Sequence, residues 1–174
     1  MHFTTLLPLL TLSFGASVVA PAPVTDDGGA SCDVKCQVDR WLFHTPISEF
    51  YAQMQKVWWN PPSSWNGIDW VHNSKYVQDD QCSVPQKYID QFNINDKNKP
   101  RGYNFLQSCY RHDFGYANYR KEGRFTEDNR GKIDGNFHDD MKDVCNKEGN
   151  IIKKTECLAI AEVYYRAVRL GGGK

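Results

Sequence analysis

The chain carries no excess of charge of either sign. Its 21 Lys and Arg balance 21 Asp and Glu over 174 residues. That argues against a broad basic surface for nucleic acid and against a charge-driven clamp on anionic membranes. Beyond the N-terminus no run of eighteen or more apolar residues occurs, so no internal membrane-spanning helix is expected. There is no Asn-x-Ser/Thr sequon for N-glycosylation. No Gly-x-Ser-x-Gly string marks a serine nucleophile. Strand signal is also scarce, and apolar residues recur instead at three- and four-residue steps, so an all-α fold is expected.

The first 20 residues contain no Asp, Glu, Lys or Arg. An apolar stretch from Leu6 to Phe14 runs into small residues ending at Ala20, the pattern of a secretory signal peptide. Residues 21–31, rich in Pro, Gly and Asp, read as a flexible arm or short pro-segment, and residues 32–174 as one domain. All 6 cysteines fall in that domain. An even count behind a signal peptide points to disulfides in an oxidising, extracellular compartment, yet six cysteines allow fifteen pairings and spacing alone chooses none of them.

Helical periodicity predicts two helices over residues 33–59, divided at Pro46. Residues 63–104 read as long loops with one helical turn near Val84–Phe92. Helices are expected over Phe105–Glu122, Glu127–Asn146 and Thr155–Leu170. All five tryptophans lie between Trp41 and Trp70; core packing is the first reading for them and a lipid-facing surface the second. Arg120, Lys121 and Arg124 read as a solvated face.

The chemistry concentrates on two of the helices. With His112 at zero on a helical wheel, Phe105, Cys109, Tyr116 and Tyr119 fall within about 60° of it, and Asp113 sits at the edge of that stripe. On the next helix Phe137, His138, Met141 and Cys145 fall within about 60° of Asp134. A short turn between the helices makes them antiparallel, so an inward His112 can meet an inward Asp134. A buried carboxylate needs such a partner. The pair alone describes a satisfied core contact as well as a catalytic dyad. Asp113 adds a second feature, and Asp79-Asp80-Gln81-Cys82 a third. Were Cys82 bonded to Cys109, Asp80 would approach Asp113, and two carboxylates with a loop carbonyl suit Ca²⁺.

The string Ser108-Cys109-Tyr110-Arg111-His112-Asp113-Phe114-Gly115-Tyr116 resembles the active-site helix of the secreted microbial phospholipase A2 family. Pro100-Arg101-Gly102-Tyr103-Asn104-Phe105, Lys132-Ile133-Asp134-Gly135-Asn136-Phe137, and Cys157 with Tyr164-Tyr165-Arg166 are similar to further stretches of that family, covering about residues 70–170. The resemblance implies an all-α fold and Ca²⁺-dependent hydrolysis of the sn-2 ester of glycerophospholipids. The substrate would be met at a membrane or lipid-aggregate surface by a secreted protein, and nothing in the sequence demands more than a monomer. It implies His112 as general base, Asp134 as its orienting partner, and Asp80, Asp113 and the Gln81 carbonyl as calcium ligands. It also implies disulfides Cys82–Cys109 and Cys145–Cys157, leaving Cys32–Cys36 as an extra pair. Gln81 stands where the family has leucine, and His138 where an aromatic residue is expected. Two other readings share these residues. One is a metal phosphohydrolase, which needs more histidines than the chain offers. The other is a non-catalytic secreted calcium-binding effector or wall-associated binding protein on the same scaffold.

Overall fold

A computed structural model describes residues 32–59, 67–70 and 82–171. The expected signal peptide and arm, and Asp80 and Gln81, lie outside the described residues. Six α-helices and no strand occur among the described residues, as the periodicity predicts. They are α1 (Val34–Asp39), α2 (Ile47–Trp59), α3 (Gln86–Phe92), α4 (Leu106–Lys121), α5 (Glu127–Asn146) and α6 (Ile151–Gly171).

Local chemistry sets the helix ends. Asp33 caps α1 by accepting a hydrogen bond from the Cys36 amide at 2.8 Å, and Cys32–Cys36 closes the same turn. α1 then widens into a π-helical turn, Arg40–His44, and stops before Pro46, whose ring cannot follow a helical residue without a clash. α3 ends at Asn93 with φ 49°, a left-handed position that asparagine tolerates better than most residues. Thr126 caps α5 through its hydroxyl. α6 begins one turn earlier than the Thr155 expected from periodicity. Asn150 explains this: its side-chain oxygen accepts from the amides of Ile152 (2.9 Å) and Lys153 (3.2 Å), an N-cap that hydrophobic spacing does not register.

α4, α5 and α6 form the scaffold of the domain. Arg111 and His112 on α4 pair with Asp140 and Asp134 on α5; as one helix rises the other descends, so the two are antiparallel. Cys145–Cys157 joins one end of α5 to one end of α6. At the opposite ends Arg130 reaches the carbonyls of Val168 and Arg169. α4 lies between two apolar clusters. One contains Leu42, Phe50, Trp70, Tyr110, Phe114 and Ile133. The other contains Phe105, Cys109, Phe137, Met141, Ile160 and Tyr164. Ten of the sixteen residues of α4 are therefore buried, and complete burial of a side chain such as Phe114 contributes about 1.5–3 kcal/mol.

Close approach on α4 is made possible by Gly115. A Cβ there would stand 2.8 Å from Ile133 Cγ2 and 3.0 Å from Leu42 Cδ1. Residues 67–70 are held against α4 by Asn118, which is fully buried. Its amide oxygen accepts from the Asp69 amide at 2.7 Å, and its nitrogen donates to the Asp69 carbonyl at 2.7 Å. Trp70 then packs on Trp41 and Phe114 with ring centroids 5.3 and 5.1 Å away, and Trp58 meets Tyr110 at 5.5 Å. For these three tryptophans core packing is what the structure shows; Trp65 lies outside the described residues.

Arg120 and Lys121 are exposed, as the solvated-face reading expects, whereas Arg124 is part-buried. Arg124 bonds Asp39 and Glu122 and lies 4.0 Å from the Tyr119 ring centre. Arg120 covers the Phe125 ring at 4.5 Å, and Lys121 donates to the Gly67 carbonyl. Long cationic side chains lay their stems over apolar surface while their charged heads find acceptors at its edge.

Candidate active site

His112 is held on three sides. Its ring lies between Tyr116 and Phe137, with ring centroids 4.2 and 4.7 Å away. Its Nε2 is 2.8 Å from Asp134 Oδ1. Because an ionised carboxylate only accepts, the proton of neutral His112 sits on Nε2 and the lone pair on Nδ1. Nδ1 lies 3.7 Å from Asp113 Oδ1, and the Asp113 side chain is 46% exposed. An unprotonated ring nitrogen thus stands near a half-exposed carboxylate, and a buried carboxylate holds the other ring nitrogen.

Asp134 is wholly buried and fully engaged. Oδ1 accepts from His112 and from the Tyr116 hydroxyl at 2.8 Å. Oδ2 accepts from Arg169 Nη1 at 2.7 Å, and Arg130 Nη1 is 3.7 Å from it. Burial pushes the Asp134 carboxyl up, but the bonds from His112, Arg169 and Tyr116 outweigh it and hold the group below its ordinary range. Burial likewise pulls the His112 imidazole down, and the bonds and charges of Asp113 and Asp134 outweigh that, so it titrates above its ordinary value. Tyr116 is pushed far up, by burial and by its bond to Asp134, and stays a neutral donor.

The helical wheel finds His112, Asp134 and Asp113, and the structure brings the three together. It does not announce Tyr116 or Arg130 as partners of Asp134, although i+4 from His112 and i−4 from Asp134 are same-face spacings that could have done so. Arg169, 35 residues from Asp134, has no such local signal. The wheel also misses the buried pair of Arg111 and Asp140. There Arg111 Nε donates to Oδ2 at 2.8 Å, Nη2 bonds Oδ1, and Nη1 donates to the Thr45 carbonyl at 2.6 Å. This pair fastens the start of α2 and the C-terminal half of α5 to the helix that carries His112.

The three disulfides are Cys32–Cys36, Cys82–Cys109 and Cys145–Cys157, the pairing that the family resemblance implies. The Cys82–Cys109 bridge fixes the residue after Gln81 one helical turn before Asp113. Among the described residues no three His, Cys, Asp or Glu side chains are grouped to hold a metal ion. Asp113 keeps its carboxylate half-exposed, an oxygen donor of the kind that suits a hard cation; Asp80 and Gln81, the other expected donors, lie outside the described residues.

Two fungal proteins are similar over most of their length. A protein named secretory phospholipase A2 from Arthroderma benhamiae is 37% identical over 161 residues, 91% of this chain and 90% of that one. Another of the same name from Beauveria bassiana is 34% identical over 172 residues, 99% of this chain and 71% of its own. The family model described as prokaryotic phospholipase A2 matches residues 38–172. The chain belongs to the phospholipase A2 family. The match begins at residue 38, so family membership extends back over α2 and the π turn, well before the motifs around residues 70–170. His138, where the resemblance leads one to expect an aromatic residue, stacks on Tyr165 at 4.6 Å with the planes 10° apart. The name secretory, borne by both relatives, agrees with three disulfides and no free cysteine among the described residues, which fits an extracellular, oxidising setting.

Proposed function

We propose that this protein is a secreted, calcium-dependent phospholipase A2 that hydrolyses the sn-2 ester of glycerophospholipids. It works as a monomer on membranes or lipid aggregates. The observation that supports this reading best is the orientation of His112: Nε2 is committed to Asp134, while Nδ1 is left beside the half-exposed Asp113.

In this mechanism Nδ1 of neutral His112 takes a proton from water as the water oxygen attacks the sn-2 carbonyl carbon. Asp134 keeps the ring in the Nε2–H tautomer and stabilises the imidazolium that forms. His112 then returns the proton to the departing glycerol oxygen as the ester C–O bond breaks. The products are a free fatty acid and a lysophospholipid. Asp80, Asp113 and the Gln81 carbonyl would hold Ca²⁺, whose charge supplies Lewis-acid polarisation of the carbonyl and a tether for the phosphate. No side-chain nucleophile is used.

The test is release of a labelled sn-2 acyl chain from phosphatidylcholine, with Ca²⁺ and with chelator, by the wild type and by His112→Ala. Release lost both with chelator and in the variant supports the reading. Ca²⁺ binding without hydrolysis of any phospholipid would instead make the chain a binding protein on an enzyme scaffold.

A further inference from the structure

The buried Asp134 carboxylate raises a question of charge. For His112 to act as a base it must be neutral in the resting protein, and Tyr116 is neutral as well. Neither can offset a full negative charge that is 0% exposed, and such a charge is costly to bury without a cationic partner. Two guanidinium groups stand near its second oxygen, and only one bonds it. Arg169 Nη1 lies 2.7 Å from Oδ2. Arg130 stays at 3.7 Å and spends its other donors on Glu127 and on the carbonyls of Val168 and Arg169.

Arg169 is itself held. Its Nη2 donates to Glu127 Oε1 at 2.5 Å, and the same carboxylate takes two bonds from Arg130 at 2.9 Å. Glu127 is the first residue of α5, and Arg169 lies in the last turn of α6. A rigid planar fork anchored at one prong and bonded to Oδ2 at the other fixes the rotation of the Asp134 carboxylate. Oδ1 then points at His112.

On the reading that His112 is the base, we propose that Arg169 is a positioning residue of the reaction. It is the permanent cation that keeps Asp134 ionised and aims its Oδ1 at His112 Nε2, and Glu127 is its anchor.

The test uses the full folded enzyme with labelled phosphatidylcholine and Ca²⁺, comparing wild type with Arg169→Gln, Arg169→Ala, Arg169→Lys and Glu127→Gln. Loss of an aiming contact lowers kcat of Arg169→Gln by about ten- to a hundredfold, with KM and the Ca²⁺ midpoint of activity unchanged. Arg169→Lys, which keeps the charge but not the fork, recovers part of the loss, and free guanidinium added to Arg169→Ala raises its kcat. Glu127→Gln, exposed enough to leave folding intact, loses about two- to fivefold in kcat. The proposal is overturned if Arg169→Gln keeps kcat within twofold of wild type. It is equally overturned if the loss follows the fraction of unfolded protein and neither lysine nor guanidinium restores activity; should Arg169→Gln not fold, Glu127→Gln with unchanged kcat has the same force. A wild type that releases no acyl chain would count against the phospholipase reading itself, a result distinct from either of these.

Discussion

Asp134 is expected to matter for its charge more than for its bulk. Asp134→Asn keeps the shape but offers His112 Nε2 an amide that can turn its nitrogen toward the ring, so the wrong tautomer becomes available. A drop in kcat of about three to four orders of magnitude is expected, by analogy with the orienting aspartate of serine proteases, read as sn-2 acyl release with folding checked by circular dichroism. The titration of His112 gives a second prediction. Its net shift is upward, so in metal-free protein its imidazole protons in NMR should titrate above the ordinary value of about 6.5. The base is protonated below that midpoint, and the acidic limb of kcat/KM should therefore rise with pH through the midpoint of the enzyme as assayed. A metal-free midpoint below 6.5 would contradict the pull of the two carboxylates, Asp134 bonded to Nε2 and Asp113 near Nδ1. Asp134 acts on stability with the opposite sign. Its folded value is lowered, so its contribution is fully present above the unfolded carboxylate value of about 3.9 and fades as pH falls through the lower folded one.

At the level of helices, Gly115 gives a sharper test than any polar residue. Alanine is the better helix former by about 1 kcal/mol, which alone predicts a gain from Gly115→Ala. The new Cβ would meet the Ile133 methyl at 2.8 Å and both Leu42 methyls at 3.0 and 3.1 Å. Ile133 is β-branched and stiff within a helix, so the neighbour cannot swing clear. Overpacking of this kind costs about 1–3 kcal/mol, and the balance should be a net loss, measured as a lower urea midpoint with unchanged slope. The same contrast explains what could be read in advance. Helix existence and the inward faces of α4 and α5 follow from periodicity, because burial repeats every three or four residues. His112 and Asp134 break an apolar stripe and so stand out. Arg111 and Asp140 do not, because a charged pair on the wheel looks solvated until a partner helix covers it. Arg169 meets Asp134 only through the tertiary packing of α6 on α5, and the Asn150 cap lies outside any hydrophobic repeat.

For the molecule as a whole, the three disulfides should contribute unequally. Cys82–Cys109 spans 27 residues, Cys145–Cys157 spans 12 and Cys32–Cys36 spans 4. Loop-closure entropy assigns them about 3.5, 3 and 2 kcal/mol. Paired Cys→Ser variants followed by urea unfolding should rank in that order. On the proposed calcium-dependent mechanism, the variant lacking Cys82–Cys109 should also need more Ca²⁺ for half-maximal activity, since Cys82, next in sequence to Gln81, would no longer be tied to α4. Equal Ca²⁺ dependence with and without that bridge would remove the disulfide from any part in metal binding.

The π-helical turn Arg40–His44 has a consequence for how the chain can change over generations. Its wider winding takes in one residue more than an α turn would, and it sets the phase with which Leu42 enters the cluster at Gly115. Leu42 also gives its carbonyl to the Asn136 side chain at 3.0 Å. Arg40 and His44 are exposed and should accept most substitutions. Removing any one residue of the five would tighten the turn and swing all that follows by about 100°, carrying Thr45 away from Arg111 and Phe50 away from Phe114. Length is thus inherited more strictly here than identity. A deletion scan should find Arg40 and His44 as intolerant as the core, where a substitution scan would pass over them.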